Sequence, residues 1–293
     1  MSQAYVRPDT LEGALAALAD AGEGAKVLAG GTDLMIHVRA GKRFPALVNV
    51  SRVPELQVLR IQDGHFELGA AVTVARLLRD PAVRQYAPLL WQAADHFASP
   101  LVRSRATLGG NLINASPAAD LALALLALDA RVQLASRTGT RSLQIDELIL
   151  GPGKTALRPG ELVTSVKVPL GGTRFRRFHR FEKSGPRPAL EISVAAVAVA
   201  LSLDGGKVLE PRIACGAVAP FPLRATPAEE AIAGRALTPD TIDEAARAAA
   251  QFVRPIDDVR ASALYRRRLV AAFVRRCLTA ALDSPGMLHA TGS

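Results

Sequence analysis

The pattern of apolar segments changes at Pro169-Leu-Gly-Gly172, and this change divides the 293-residue chain into two parts of different build. Before it, short strand patterns alternate with helical patterns. After it, long apolar runs come first and amphipathic helical patterns follow, which is typical of an α+β domain. At about 150 residues per domain, the length also favours two domains. We therefore predict an α+β protein with domains at 1–172 and 173–293.

The first domain is predicted to contain two subdomains, 1–55 and 56–172. In residues 1–55, strand and helix patterns alternate, which indicates a small α/β unit. Strands are expected at Tyr5-Val6, Lys26–Leu28 and Ala46–Val50, and helices at Thr10–Ala21 and Asp33–Ala40.

Residues 56–172 predict a mixed α+β unit. Strands are expected at Val58–Ile61, His65–Gly69, Arg131–Ala135 and Leu162–Val168, and helices at Thr73–Arg79, Ala87–Asp95 and Ala118–Leu128. Ala98–Gly110 is expected to be a long loop. Ser116-Pro117 is expected to open the last helix, because serine is a favoured N-cap and proline suits the first helical position.

The second domain is predicted to contain a three-stranded antiparallel sheet followed by helices. The expected strands are Phe175–Glu182, Ile192–Leu203 and Lys207–Val218, and the expected helices are Pro227–Ala233, Pro239–Phe252 and Ala261–Leu282. Asp204-Gly205-Gly206 reads as the turn between the second and third strands.

Composition and charge narrow the class of protein. Hydrophobic residues make up 49% and charged residues 22%, which is ordinary for a soluble globular protein. No apolar run approaches the ~20 residues needed to span a bilayer, and the N-terminus lacks an apolar signal segment. We therefore expect a cytoplasmic protein without a membrane span.

A net charge of +9 raises the question of nucleic-acid binding. The cations are mostly dispersed, and no nucleic-acid motif accompanies them, so a solvated or subunit-binding basic face is favoured. Cys215 and Cys277 are too few to ligate an iron–sulfur cluster in this chain alone, and we expect both to be inert buried thiols. The five histidines lack metal-ligand spacing, so no metal site is expected.

Two glycine-containing segments are candidates for ligand binding. The first, Val27-Leu-Ala-Gly-Gly-Thr-Asp-Leu34, runs from an apolar strand into a helix, where glycines allow close backbone approach and helix-start amides favour anions. Taken alone it is more often a structural turn, and it lacks the GxGxxG pattern of a Rossmann site.

The second segment, Thr107-Leu-Gly-Gly-Asn-Leu-Ile-Asn-Ala-Ser-Pro-Ala-Ala-Asp-Leu121, places small and amide side chains between two apolar stretches. That density is unfavourable unless the backbone or a ligand uses the polar groups. Two such segments in one domain suggest a phosphate diester held between them, with a plain structural turn as the alternative of equal weight.

Gly151-Pro-Gly-Lys-Thr155 resembles the end of a P-loop, but a P-loop would need glycine where Leu148 stands, and Pro152 lacks an amide N–H. ATP or GTP binding is therefore not expected.

The two glycine segments, in this order and at this separation, resemble those of the FAD-binding medium subunit of the molybdenum hydroxylases, the family of xanthine dehydrogenase and carbon monoxide dehydrogenase. Ala29-Gly-Gly-Thr-Asp-Leu34 matches the family's first FAD loop, and Thr107 through Asp120 matches the second. Pro255–Ser262 and Tyr265-Arg-Arg resemble its C-terminal signature. The resemblance covers nearly the whole chain and implies a PCMH-type FAD-binding domain.

The resemblance implies a role for each matching position. Backbone amides of Ala29–Asp33 would hold the FAD pyrophosphate, and the second segment would line the opposite side. Phe97 would pack near the flavin ring, Val163 under the ring or the adenine, and Lys183 against FAD. The implied cofactor-binding residues are Val27, Leu28, Ala29, Gly30, Gly31, Thr32, Asp33, Leu34, Phe97, Ala98, Thr107, Gly110, Asn111, Ile113, Asn114, Asp120, Val163 and Lys183.

The resemblance implies no catalytic acid or base and no metal ligand in this chain. Ser184–Leu190 departs from the family's commoner glycine/arginine pattern on the acceptor-facing side. Only two cysteines argue against the subtype with an extra cluster in this subunit. Molybdopterin would lie in a large partner subunit and [2Fe–2S] clusters in a small one, in a dimer of heterotrimers. The flavin would pass electrons from the clusters to NAD⁺, a quinone or oxygen.

Two other interpretations remain. A self-contained FAD oxidase of the same flavin-binding class would need a substrate base, and the sequence offers no obvious one and no placed histidine or cysteine tether. A basic, non-enzymatic nucleic-acid-binding module would be colourless and would bind DNA with steep salt dependence.

Overall fold

The computed structural model describes residues 4–171, 176–185 and 192–284. Its first unit is a parallel sheet of β1 (Ala4–Val6), β2 (Lys26–Leu28) and β3 (Ala46–Asn49), with β3 in the middle. Helices α1 (Leu11–Ala21) and α2 (Leu34–Arg39) connect these strands. Thr10 caps α1 by accepting from the Gly13 amide at 3.1 Å. The predicted strand–helix alternation is confirmed.

The second unit is built on a five-stranded antiparallel sheet with the order β4-β5-β10-β6-β7. Its strands are β4 (Leu59–Gln62), β5 (His65–Gly69), β6 (Arg131–Ser136), β7 (Gly139–Gln144) and β10 (Leu162–Pro169), with a small hairpin of β8 (Ile149–Gly151) and β9 (Lys154–Thr155). Its helices are α3 (Val74–Arg79), α4 (Pro81–Tyr86), α5 (Pro88–Asp95), α6 (Pro100–Arg103), α7 (Leu108–Asn114), α8 (Asp120–Ala127) and α9 (Ile145–Leu148), and a 3₁₀ turn spans Pro54–Gln57.

Two expectations for this unit are wrong. Ala98–Gly110 is not one long loop, because it contains α6 and the start of α7. Ser116 does not cap the next helix, which begins only at Asp120. The Ser116 hydroxyl instead accepts from the Ala118 amide at 3.2 Å, which closes a turn before the helix.

The resemblance of Gly151–Thr155 to a P-loop has a simple structural origin. The segment forms the turn of the β8–β9 hairpin, with Gly153 at φ +67°. A P-loop needs a helix directly after the lysine, and here β9 continues instead.

The second domain has an antiparallel sheet with the order β11-β12-β13-β14. The three long strands are confirmed as β11 (Arg176–Ser184), β12 (Ala195–Asp204) and β13 (Lys207–Gly216), and a two-residue edge strand, β14 (Leu223–Arg224), adds a fourth. Helices α10 (Thr226–Glu230), α11 (Pro239–Phe252) and α12 (Ala263–Asp283) follow.

Strand β12 joins the two domains through its alternating side chains. Val197, Val199 and Leu201 pack into the core beneath α11 and α12. Ala196, Ala198 and Ala200 belong instead to the core that surrounds α8 of the first domain. The alanines make this face flat, so the sheet lies close against α8, whose residues are all buried.

Both cysteines lie in the second domain's core. Burial, with the Glu229 carboxylate nearby, raises the pKa of Cys215 to about 12, and burial likewise raises the pKa of Cys277. Only the thiolate reacts readily with disulfide reagents. We expect neither thiol to react with Ellman's reagent in the folded protein at about pH 8, and both to react after unfolding in denaturant. Fast reaction under native conditions would show that this core opens.

Within the described residues, no helix has the length and apolar character to cross a membrane.

Candidate functional site

The segment Ala29–Asp33 joins β2 to α2 and carries the first pair of glycines. Gly31 has a φ of +76°, a left-handed conformation that glycine adopts without steric penalty. Among the described residues, none accepts a hydrogen bond from the backbone amides of Gly30, Gly31, Thr32 or Asp33. The segment therefore presents a row of unpaired N–H donors, which suits a phosphate anion.

The first segment lies directly against the second. A Cβ atom on Gly30 would lie 1.9 Å from the carbonyl oxygen of Arg105, two residues before the second segment, so only glycine allows the two backbones to meet here. Asn114 Nδ2 donates to Asp33 Oδ1 at 3.3 Å across the same junction. The expected juxtaposition of the two glycine segments is thus present.

The second segment contributes a helix surface rather than free amides. Thr107 caps α7 by accepting from the Gly110 amide at 3.2 Å, while the Leu108 and Gly109 amides donate to Val72 and Ala70 carbonyls at 3.0 and 2.8 Å. Gly110, Ile113 and Asn114 lie on one helical face. Gly110 and Asn114 are exposed and Ile113 is half-buried, so this face is open to a ligand.

The side chain of Asn111 is hydrogen-bonded to the next helix, α8. Its Oδ1 accepts from the Ala122 amide at 3.2 Å, which satisfies one of the amides at the start of α8. This contact explains why α8 starts at Asp120 and not earlier. Asp120 therefore stands at the helix N-terminus, where the macrodipole stabilises a carboxylate, and not one turn into the helix.

Asp120 is held by the second domain. Lys183 Nζ donates to Asp120 Oδ2 at 2.7 Å, and Ser193 Oγ donates to Asp120 Oδ1 at 2.8 Å. The side chains of Lys183 and Asp120 are 9% and 7% exposed. Burial raises the pKa of the Asp120 carboxyl, and the Lys183 ammonium and the Ser193 hydroxyl oppose that rise.

The aromatic side of the site is fixed through backbone contacts. Lys183 Nζ also donates to the carbonyl of His96 at 2.8 Å, one residue before Phe97. Ala98 has a φ of +36°, a left-handed conformation unusual for alanine. Arg103 Nε donates to the Phe97 carbonyl at 2.5 Å and so holds this strained corner in place.

Three further residues predicted from the sequence lie next to the first glycine segment or in the core of the first domain. Val27 and Leu28 are half-buried at the end of β2. Val163 lies in β10 and is 3% exposed, which leaves little of its side chain for a ligand to contact. Of the divergent stretch Ser184–Leu190, residues 186–190 lie outside the described residues.

Sequence reasoning missed Arg103, Arg105 and Ser193. Arg103 and Ser193 act through hydrogen bonds to groups distant along the chain, and Arg105 contributes only its backbone carbonyl. No local pattern marks any of these contacts. The close approach to Arg105 left one indirect signal, the glycine at position 30.

The residues present fit FAD. The unpaired amides suit its diphosphate, and the open face of α7 extends the site beyond a single phosphate. Asp120 and Lys183 place polar groups next to Phe97 at the other side. An elongated dinucleotide uses such a combination of anion-binding and aromatic surfaces, whereas a lone phosphate needs only the first.

Comparison with known proteins agrees with this geometry. Residues 1–171 match the family described as "FAD binding domain in molybdopterin dehydrogenase", and residues 180–281 match "CO dehydrogenase flavoprotein C-terminal domain". The chain is 31% identical over 290 residues to the xanthine dehydrogenase FAD-binding subunit of Escherichia coli O157:H7, covering 96% of this chain and 97% of that protein. It is 32% identical over 280 residues to the nicotine 6-hydroxylase medium subunit of Paenarthrobacter nicotinovorans, covering 94% and 96%.

Among solved structures, carbon monoxide dehydrogenase from Hydrogenophaga pseudoflava matches with a TM-score of 0.91 at 31% identity, covering 96% of this chain and 98% of that chain. The chain therefore belongs to the FAD-binding medium subunits of the multi-subunit molybdenum hydroxylases. The family resemblance and the α+β fold class are confirmed. The protein is therefore an oxidoreductase subunit.

Proposed function

We propose that this chain holds FAD between the segments Ala29–Asp33 and Thr107–Asp120 and carries electrons from the iron–sulfur clusters of the small subunit to an acceptor. The observation that carries the proposal is the row of unpaired amides at Gly30–Asp33, which lies against the second segment. When bound, the flavin collects single electrons from the clusters and delivers them in pairs.

The proposed role of this chain's residues is to bind FAD and to fix its orientation. The amides of Gly30 to Asp33 would donate hydrogen bonds to the diphosphate, and the Gly110–Asn114 face would support the cofactor from the opposite side. Asp120 and Lys183 supply fixed charges that are already paired before the cofactor arrives. Such preorganised groups need little rearrangement on binding, which favours tight, noncovalent attachment.

The family assignment also supports a proposal for the assembly and the location of the protein. We propose a dimer of heterotrimers in the cytoplasm, with molybdopterin in the large subunit and [2Fe–2S] clusters in the small one. Domains at 1–172 and 173–293 are part of this proposal. The exposed arginines of α12, which include Arg267, Arg268, Arg275 and Arg276, offer a basic surface for partners, while Arg266 is buried.

The test uses the assembled complex with and without FAD. After FAD removal, the clusters are reduced chemically and mixed with NAD⁺, a quinone or oxygen, and cluster reoxidation is followed by absorbance. We expect reoxidation by at least one acceptor to become much slower without FAD and to recover on adding FAD but not FMN. Equal rates with and without FAD would exclude the proposed electron path.

A further inference from the structure

Arg266, in the C-terminal signature segment, is a buried cation with three protein partners. It lies in the first turn of α12 and is 2% exposed. Its Nη1 donates to the carbonyls of Val194 at 2.8 Å and Ala217 at 2.7 Å, and its Nη2 donates to Asp258 Oδ1 at 2.7 Å. One side chain thus joins the start of β12, the end of β13 and the loop before α12.

Both carbonyls belong to backbone that supports the second glycine segment. Val194 directly follows Ser193, whose hydroxyl donates to Asp120 at 2.8 Å. The amide of Ala217 donates to the Pro117 carbonyl at 2.8 Å. The second domain thus contacts Asp120 through Ser193 and Pro117 through Ala217. Arg266 hydrogen-bonds to the backbone next to the first contact and at the second.

The geometry at Ala217 needs such support. Its φ of +60° is a left-handed conformation that alanine seldom adopts, so the surrounding contacts must maintain it. The Pro117 carbonyl accepts from its amide, and Arg266 donates to its carbonyl. The hydrogen bonds of the Ala217 amide and the Ala217 carbonyl thus fix the orientation of this residue against Pro117 of the first domain.

Asp258 fixes Arg266 in turn. Its Oδ1 accepts from the Arg260 amide at 2.8 Å and the Ala261 amide at 3.2 Å as well as from Arg266. These hydrogen bonds hold the pKa of Asp258 well below its usual range, so it stays a carboxylate. Through Asp258, the mostly exposed loop that precedes α12 is thereby tied to Arg266.

We propose that Arg266 is a positioning residue for the flavin site: through Val194–Ser193 and Ala217 it sets the geometry of Asp120 and Pro117 without touching the cofactor. This inference rests on the proposed function, because it takes Asp120 to border bound FAD.

The test is a double-mutant cycle in the full chain. FAD dissociation constants, visible circular dichroism of bound flavin and the melting temperature of the apoprotein are measured for Arg266→Met, Asp120→Asn and the double variant. Arg275→Met is the matched control, since Arg275 lies on the same helix in an exposed ion pair with Asp243 at 2.6 Å.

We expect Arg266→Met to weaken FAD binding about tenfold and to alter the flavin dichroism, and Arg275→Met to leave both unchanged. In the Asp120→Asn background, Arg266→Met should add less than about twofold, because coupled residues are not additive. Additive effects, or native FAD affinity in folded Arg266→Met, would overturn the proposal.

If Arg266→Met does not fold, Ser193→Ala tests the same proposal with a smaller change, since it removes one hydroxyl only. We expect a several-fold weaker FAD affinity that disappears in the Asp120→Asn background, and an unchanged affinity would overturn the proposal. Failure of the unaltered chain to bind FAD would instead reject the proposed function. Native affinity in Asp120→Asn would reject the site assignment on which this inference rests.

Discussion

Gly30→Ala is expected to reduce FAD affinity by at least about 100-fold. The new Cβ would lie 1.9 Å from the Arg105 carbonyl oxygen and 2.6 Å from its carbon, both of them backbone atoms that cannot rotate away. The two glycine segments must therefore separate. Misplacing two amide–phosphate hydrogen bonds, each about 1.5–3 kcal/mol with a charged partner, would account for that loss.

The matched control is Gly151→Ala. Its Cβ would have no atom within 4 Å, and Gly151 lies in β8, outside both glycine segments. The hairpin meets the second segment through the Gly153 amide, which donates to the Ala115 carbonyl at 3.0 Å and is left in place by this substitution. FAD affinity should be measured by titrating apoprotein and following flavin fluorescence. Native affinity in Gly30→Ala would mean that the close approach of the segments is not needed for binding.

Asp120→Ala is expected to have the second-largest effect, on both stability and cofactor occupancy. The substitution leaves the Lys183 ammonium buried without its carboxylate partner at 2.7 Å. Breaking a buried pair by removing one member costs about 3–5 kcal/mol. We expect a decrease of that order in the free energy of unfolding in urea, together with loss of bound FAD.

Asp129→Asn separates these two effects. Asp129 also pairs across the domains, with Arg212 and with Arg224 at 2.8 Å, but it lies beyond the opposite end of α8. The eight residues of α8 correspond to about 12 Å. This variant should lose some stability and retain FAD. If it loses FAD as readily as Asp120→Ala does, the effect at Asp120 reflects domain docking alone.

Local patterns were sufficient to predict much of the fold. Two helices were predicted to begin at Thr10 and Thr73, and these threonines cap α1 and α3, because an N-cap acts within three residues. The apolar runs at 195–204 and 207–216 become adjacent strands, because length and a glycine turn are local signals. The family match of the two glycine segments also depends on short, contiguous motifs.

Contacts between distant residues could not be predicted in the same way. Two adjacent glycines favour a loop locally, yet Gly109 and Gly110 lie in α7, because Thr107 caps it and the Ala70 carbonyl accepts from Gly109. The start of α8 depends on Asn111, eleven residues away from the amide that it caps. Asp120 gains its partners from the second domain, which only the folded chain brings near.

The most direct measurement of the central claim is the identity and amount of flavin released from the purified chain by acid precipitation. Noncovalent binding by the two glycine segments predicts one FAD per chain in the supernatant, and the same amount from Lys154→Ala, which alters only the hairpin that resembles a P-loop. FMN in the supernatant, flavin retained in the pellet, or a colourless protein that takes up no FAD would contradict the account.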